Sequence, residues 1–315
     1  MASLLEIAKK SKDPLRPFGT LDVSLYYALV APFVAKFTKG RELAAKNLMP
    51  KGPMPSLIKR GSDLEPLSCK DIVRGVDEKF LKTRAEIEHL RDAEGRISVL
   101  QRKIWSYFLP RKLSDFFYAT NGEKPGRPID RVFFDLDRGR ERSFEDAREA
   151  ARVFVDAIRD DADFWSSVGK EMDKAPFVAW TGSSFHVYLF FKKPMPSSYY
   201  SKHFQYSIHN PLANFTGRWA AVVEKAVKFK IAGGHQKIPD AIVVDPSQTP
   251  SGKLCRVPLG SLHMRDALTV DGVSLPVQLK VLGEKGITKL LSRVTPGSLV
   301  PELSVWSRNL PSRFR

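Results

Sequence analysis

One stretch, Arg131-Val132-Phe133-Phe134-Asp135-Leu136-Asp137, constrains this chain more than any other. It reads as a β-strand running into a pair of carboxylates. An extended strand sends residues i and i+2 to one face, so Phe134 and Leu136 share an apolar face that burial explains. Asp135 and Asp137 then project together from the opposite face. Two like charges side by side repel, and a divalent cation with a preference for hard oxygen ligands, Mg²⁺ or Mn²⁺, is the simplest compensation. An Asp-x-Asp pattern is also met by a strand that merely ends in a solvated acidic turn. The rest of the chain has to decide between the two.

Charge is the informative part of the composition. The 315 residues carry 51 Lys+Arg against 35 Asp+Glu, a net charge of +16. Such a field attracts polyanions and speeds their capture in a salt-dependent way, which makes nucleic acid the leading partner. A surface laced with ion pairs would not need so large an excess of one sign. The 2 cysteines, Cys69 and Cys255, leave no disulfide framework and no four-cysteine zinc site, so no zinc is expected. Met1 to Lys12 lacks an apolar core followed by a cleavage site. The longest apolar run, Leu25 to Phe37, is broken by Pro32 and Lys36 and is too short for a bilayer. The expectation is a cytoplasmic protein without a membrane partner.

Along the chain, the first hundred residues read as mostly helical. Asp22 or Ser24 opens a helix carrying Tyr26, Leu29 and Val34, and Met49-Pro50-Lys51-Gly52-Pro53 is a loop. Asp71 to Phe108 reads as one or two long helices with a solvated charged face. After Pro110 the texture changes. Phe116 to Ala119 is a short strand, and Asn121-Gly122 through Arg127-Pro128 a turn-rich link. Ser143-Phe144-Glu145-Asp146 is an acidic capping box opening a helix with Phe144, Ala147, Ala151, Phe154, Val155 and Ile158 on one face. Phe177 to Trp180 and Ser184 to Phe191 are strands joined by Thr181-Gly182-Ser183. Leu212 to Lys230 is helical, Ala241 to Val244 is a buried strand delivering Asp245, and Asp271-Gly272 is a hairpin turn.

Three segments carry chemistry. Asp135 and Asp137 are the first. In the second, Ser184 and His186 lie on one strand face beside a glycine turn, a hydroxyl and an imidazole near backbone amides that suit phosphate oxygens. The third begins with Asp245, placed for a further metal carboxylate, with Asp240 as its competitor. It continues to Leu254-Cys255-Arg256-Val257-Pro258-Leu259-Gly260-Ser261-Leu262-His263, where an arginine fork and an imidazole suit a triphosphate. Each piece taken singly has an ordinary structural explanation: a hydrogen-bonded histidine, or a turn aspartate before Pro246.

Taken in order, these motifs resemble the archaeo-eukaryotic primase superfamily over Arg131 to His263, in particular the catalytic small subunit of archaeal DNA primases and the primase-polymerases of archaeal plasmids. The likeness is only suggestive at Arg41-Glu42 and Lys59-Arg60. It implies an α+β fold: a mainly antiparallel sheet related to RNA-recognition-motif proteins, flanked by helices, with an added N-terminal or inserted helical subdomain. The implied division is 1–109, largely helical; 110–275, the catalytic core; and 276–315, a helical or extended tail that can lead to a further domain. The resemblance further implies two Mg²⁺ or Mn²⁺ ions on Asp135, Asp137 and Asp245, with Ser184, His186, Arg256 and His263 on the nucleotide's phosphates. Implied partners are a DNA template and primer, nucleoside triphosphates, and a helicase, fused or associated. The chain departs from the family at Thr181, where Ser is common, and in an Arg256-to-His263 spacing one residue longer than usual. It also lacks the frequent zinc knuckle.

For the template track, Arg138, Arg140, Lys192, Lys193, Lys202, Lys225, Lys228 and Lys230 are the basic candidates, with Tyr199, Tyr200, Phe204 and Trp219 as stacking partners. The leading reading is a template-directed nucleotidyltransferase, a DNA primase and polymerase. A metal-dependent nuclease and a non-catalytic replication-initiation module on the same fold are the alternatives.

Overall fold

The computed structural model describes residues 2–10, 15, 22–49, 56–60, 66–267 and 269–315. The Asp13-Pro14 region and the 50–55 loop lie outside them. The chain forms two compact units interleaved in sequence: residues 1–118, 256–275 and 293–315 in the first, 119–255 and 276–292 in the second. In chain order the strands are β1 (Leu43–Leu48), β2 (Ser56–Arg60), β3 (Ser114–Ala119), β4 (Ile129–Arg138), β5 (Phe177–Trp180) and β6 (Phe185–Met195). They continue as β7 (Lys230–Gly233), β8 (Ala241–Asp245), β9 (Leu254–Arg256), β10 (Leu262–Asp266), β11 (Thr269–Val273) and β12 (Leu275–Val277).

Within the first unit, the helix Val23–Val34 is apolar almost all round, which only a buried helix tolerates. Asp22 caps it, and Arg84, itself buried, grips both Asp22 oxygens at 2.5 and 2.9 Å. The Tyr27 hydroxyl donates to the Ser114 carbonyl at 2.8 Å, and its ring lies 4.5 Å from that of Phe116 on β3. Strands β1 and β2, in a sheet ordered β2-β1-β3-β9, fall in the region read from sequence as mostly helical. The long helices expected over 71–108 are instead the short helices Cys69–Gly75, Glu78–Glu86 and Val99–Tyr107. Ser68, Asp77 and Ser98 cap them, and each cap side chain satisfies an amide of the first turn and so fixes where its helix begins. Asp271-Gly272 is no turn. Gly272 pairs with His263 and Val270 with Met264, so Asp271 is the extra residue of a bulge within the β10–β11 ribbon.

The second unit is built on a sheet ordered β12-β5-β6-β4-β8-β7, antiparallel throughout the described pairings except for β7 beside β8. The expected strand stretch is its central strand, β4. Phe134 points into an aromatic core, with ring centroids 5.2 Å from Phe154 and 5.9 Å from Trp219. Those partners sit on helices Phe144–Asp160 and Phe215–Ala226. The capping box at Ser143 is present, with Asp146 returning a bond to the Ser143 amide. The second helix ends at Ala226, short of the Lys230 expected from sequence, and Lys230 opens β7. The architecture is α+β, with antiparallel sheets flanked by helices. No helix among the described residues is long and apolar enough to cross a membrane.

Candidate active site

β4 has a strand on each side near its carboxylates, and the register decides what faces what. Asp135 pairs with His186 on β6 and with Asp245 on β8. Directly opposed residues of antiparallel strands share a face, so one row across three adjacent strands holds an imidazole and two carboxylates. Asp137 comes next on the same face, opposite Val243. Exposure rises along this set: Asp245 is buried, Asp135 half-buried and Asp137 exposed. His186 Nε2 lies 3.4 Å from Asp135 Oδ1, its ring edge packs on Phe133 at 4.7 Å, and its buried Nδ1 has no hydrogen-bond partner.

Burial raises the pKa of Asp245 above the ordinary carboxylate range, and the Asp135 charge adds to this. Ser247 pulls the other way: its N–H donates to Oδ1 at 2.8 Å and its hydroxyl to Oδ2 at 2.9 Å. His235 adds a smaller favourable charge. Asp240, the competitor, stands exposed in the loop before β8, with Lys230 Nζ at 3.5 Å. The register thus opposes Asp245, and not Asp240, to Asp135.

The turn before His186 is tightly determined. Thr181 Oγ1 accepts the Ser184 amide at 3.0 Å, and Gly182 takes a φ of 100° that a side chain would resist. The Ser184 hydroxyl donates to the Leu136 carbonyl, which ties the turn to the carboxylate strand. Arg138 braces the same turn, donating to the Ser183 carbonyl at 2.9 Å and the Arg142 carbonyl at 2.6 Å, with its guanidinium over the Phe144 ring.

Arg256 and His263 belong to the first unit, and the residues above to the second. Arg256 Nε donates to Asp115 Oδ2 at 2.8 Å, and the guanidinium lies 5.7 Å from the Phe117 ring centroid. Asp115 is buried, which raises its pKa, and Arg256 opposes that rise. His263 Nδ1 lies 2.5 Å from Asp271 Oδ1, a contact the bulge makes possible.

Three of the four stacking candidates are corrected. Phe204 and Trp219 are core residues, 0% and 1% exposed, and their rings pack against Phe134 and Phe164. Tyr200 is also buried, while Tyr199 is half-buried against Phe191. A spacing pattern cannot separate a core aromatic from a stacking platform. Arg140, Lys192, Lys193, Lys202, Lys225, Lys228 and Lys230 are exposed. Sequence reasoning passed over Ser247, Asn121, Thr249 and Asp115. Only Asp245-Pro246-Ser247 carried a local signal, since Asp side chains close turns two residues on.

Among the described residues, no three His, Cys, Asp or Glu side chains already converge as a metal cage. The donor chemistry nevertheless fits a hard divalent cation. Asp135 and Asp245 are oxygen donors held side by side, and their mutual repulsion is one of the causes that raise Asp245.

No family model matches the chain, and no curated protein matches it. Among solved structures, it is similar to the polymerase domain of Mycobacterium tuberculosis Ligase D in complex with DNA. The TM-score is 0.53 at 17% sequence identity, over 92% of this chain and 92% of that one. The likeness is one of fold.

Proposed function

We propose that the chain is a template-directed nucleotidyltransferase, a DNA primase and polymerase that joins nucleoside triphosphates to a 3′-hydroxyl. The observation that carries this reading is the shared row of Asp135, Asp245 and His186, with Asp137 next to it on the same face. The similarity to a DNA-bound polymerase domain supports it. Asp135, Asp137 and Asp245 would hold two Mg²⁺ or Mn²⁺ ions. Bound there, such ions supply positive charge to phosphate oxygens and make a 3′-hydroxyl easier to deprotonate.

The chain's own groups account for the rest. His186, wedged between Phe133 and Asp135, would meet a phosphate oxygen of the incoming nucleotide. The Thr181–Ser184 turn holds its backbone rigidly beside that imidazole.

The test is a gel with labelled primer-template, Mg²⁺ or Mn²⁺, and nucleoside triphosphates present or absent. Extension that needs the triphosphates is expected, and Asp135→Ala should abolish it while DNA binding stays within a few-fold. Shortening of the primer would make the chain a nuclease, and a band shift without either would make it a binding module. An unprimed template offered with each nucleotide set tests de novo synthesis.

A further inference from the structure

Asp245 ends β8, and the turn beyond it is held by a dense set of hydrogen bonds. Ser247 gives one to each Asp245 oxygen, at 2.8 Å from its N–H and 2.9 Å from its hydroxyl. Each oxygen keeps a further lone pair, because a carboxylate accepts at about four sites. Two residues on, the buried Thr249 hydroxyl accepts from the Phe133 amide at 2.9 Å and donates to the Phe133 carbonyl at 2.9 Å. Asn121, also buried, donates to the carbonyls of Thr249 at 2.6 Å and Arg131 at 2.9 Å. Its Oδ1 accepts the Asp130 and Arg131 amides at 2.8 and 3.3 Å.

These bonds close a ring. β4 carries Asp135, and Asp245 opposes it in register. The turn after Asp245 is then pinned, through Thr249, to Phe133, two residues before Asp135 on the same strand. Both carboxylates are therefore referenced to β4, and that of Asp245 cannot swing away from Asp135 without breaking its bonds to Ser247. A purely structural design would separate like charges, or replace the buried acid by an apolar residue at no loss of stability. This one holds them together.

We propose that Ser247 is the positioning residue for Asp245, fixing its carboxylate beside Asp135 in the attitude that takes a divalent cation, with Asn121 and Thr249 anchoring the turn that carries it. The inference rests on the cation reading of the carboxylates given above. It deepens that reading by assigning the group that presets one ligand. Outer partners of metal-binding carboxylates set the ligand's direction and basicity, and their removal typically costs about 10–100-fold in metal affinity.

The test measures Mn²⁺ binding to the full chain by electron paramagnetic resonance, without nucleotide or DNA, and follows thermal unfolding of each variant as a control. Ser247→Ala keeps the backbone donor and loses the hydroxyl, so affinity should fall about 10–100-fold with the fold intact. Ser247→Thr restores the hydroxyl and should return affinity to within a few-fold of wild type. Thr249→Val, which frees the turn without touching Asp245, should weaken binding in the same direction. Asp245→Asn should remove the tightest Mn²⁺. If Asp245→Asn does so while Ser247→Ala binds as wild type does, the positioning role is overturned and the cation reading stands. If Asp245→Asn binds Mn²⁺ like wild type, the cation reading itself fails, and this inference with it.

Discussion

At the scale of single residues, two buried carboxylates carry opposite consequences for the groups beside them. Asp245 has a raised pKa in the folded chain, from burial first and the Asp135 charge as well. A raised carboxylate pKa means the native state binds its proton more readily than the unfolded state does. Stability from this group is therefore highest at low pH and falls as pH climbs from the ordinary carboxylate value through the raised one. Asp245→Asn should accordingly raise the melting temperature at neutral pH, with the gain vanishing near pH ~4, the ordinary carboxylate range. A gain that persisted unchanged at acid pH would show that charge is not its source. Asp115, buried and also raised, has its charge answered by Arg256. Arg256→Met should cost about 3–5 kcal/mol at neutral pH, because it strands a buried charge, and less in acid, where Asp115 takes a proton. Urea denaturation at two pH values measures both.

At the scale of elements, the most consequential stretch is the half of β4 that β8 does not reach. Register with β8 covers Asp135 to Arg138, while Asp130, Arg131 and Phe133 are served by the side chains of Asn121 and Thr249. Two polar side chains stand in for a missing strand. Asn121→Ala would leave several buried backbone groups unpaired, at about 1–3 kcal/mol for each. A fall in melting temperature several times that of an exposed cap variant such as Ser143→Ala, worth about 1 kcal/mol, is the expected result. This device was invisible in the sequence, where Asn121-Gly122 reads only as a turn. β4, β5, β6, β8 and the capped helix after Ser143 were legible, because alternation and cap chemistry act within a few residues. The same locality explains the failures. Leu43 to Leu48 has no distinctive pattern of its own and becomes a strand by pairing with β2 and β3. Phe204 and Trp219 look alike on paper whether they stack a base or fill a core. The carboxylate row was half legible: Asp135 and Asp137 by their spacing, and Asp245 by its place at the end of an apolar run. That Asp245 opposes Asp135, and that Ser247 grips it, is a matter of register.

For the whole molecule, the net charge of +16 is the property no single residue carries. Some of the basic candidates are already committed: Arg138 to two backbone carbonyls and Lys230 to Asp240. The exposed remainder, including Lys193, Lys225 and Lys228, can answer phosphates without ordering the protein around each one. Binding of that kind draws its affinity from released counterions, and base identity contributes little to it. If DNA is the partner, affinity for single strands and primer-templates should fall steeply with salt. A footprint of roughly 6–10 phosphates corresponds to a loss of about 10³–10⁵ between about 50 and 200 mM salt. Replacing one exposed lysine should reduce the log–log slope by about one and weaken all sequences alike. Asp135→Ala should leave the slope where it was, since that carboxylate adds no positive charge to the track. Fluorescence anisotropy across a salt series, with wild type, Lys225→Ala and Asp135→Ala side by side, separates the two kinds of residue. A flat salt dependence would break the link between this charge and nucleic acid, whatever the carboxylates do.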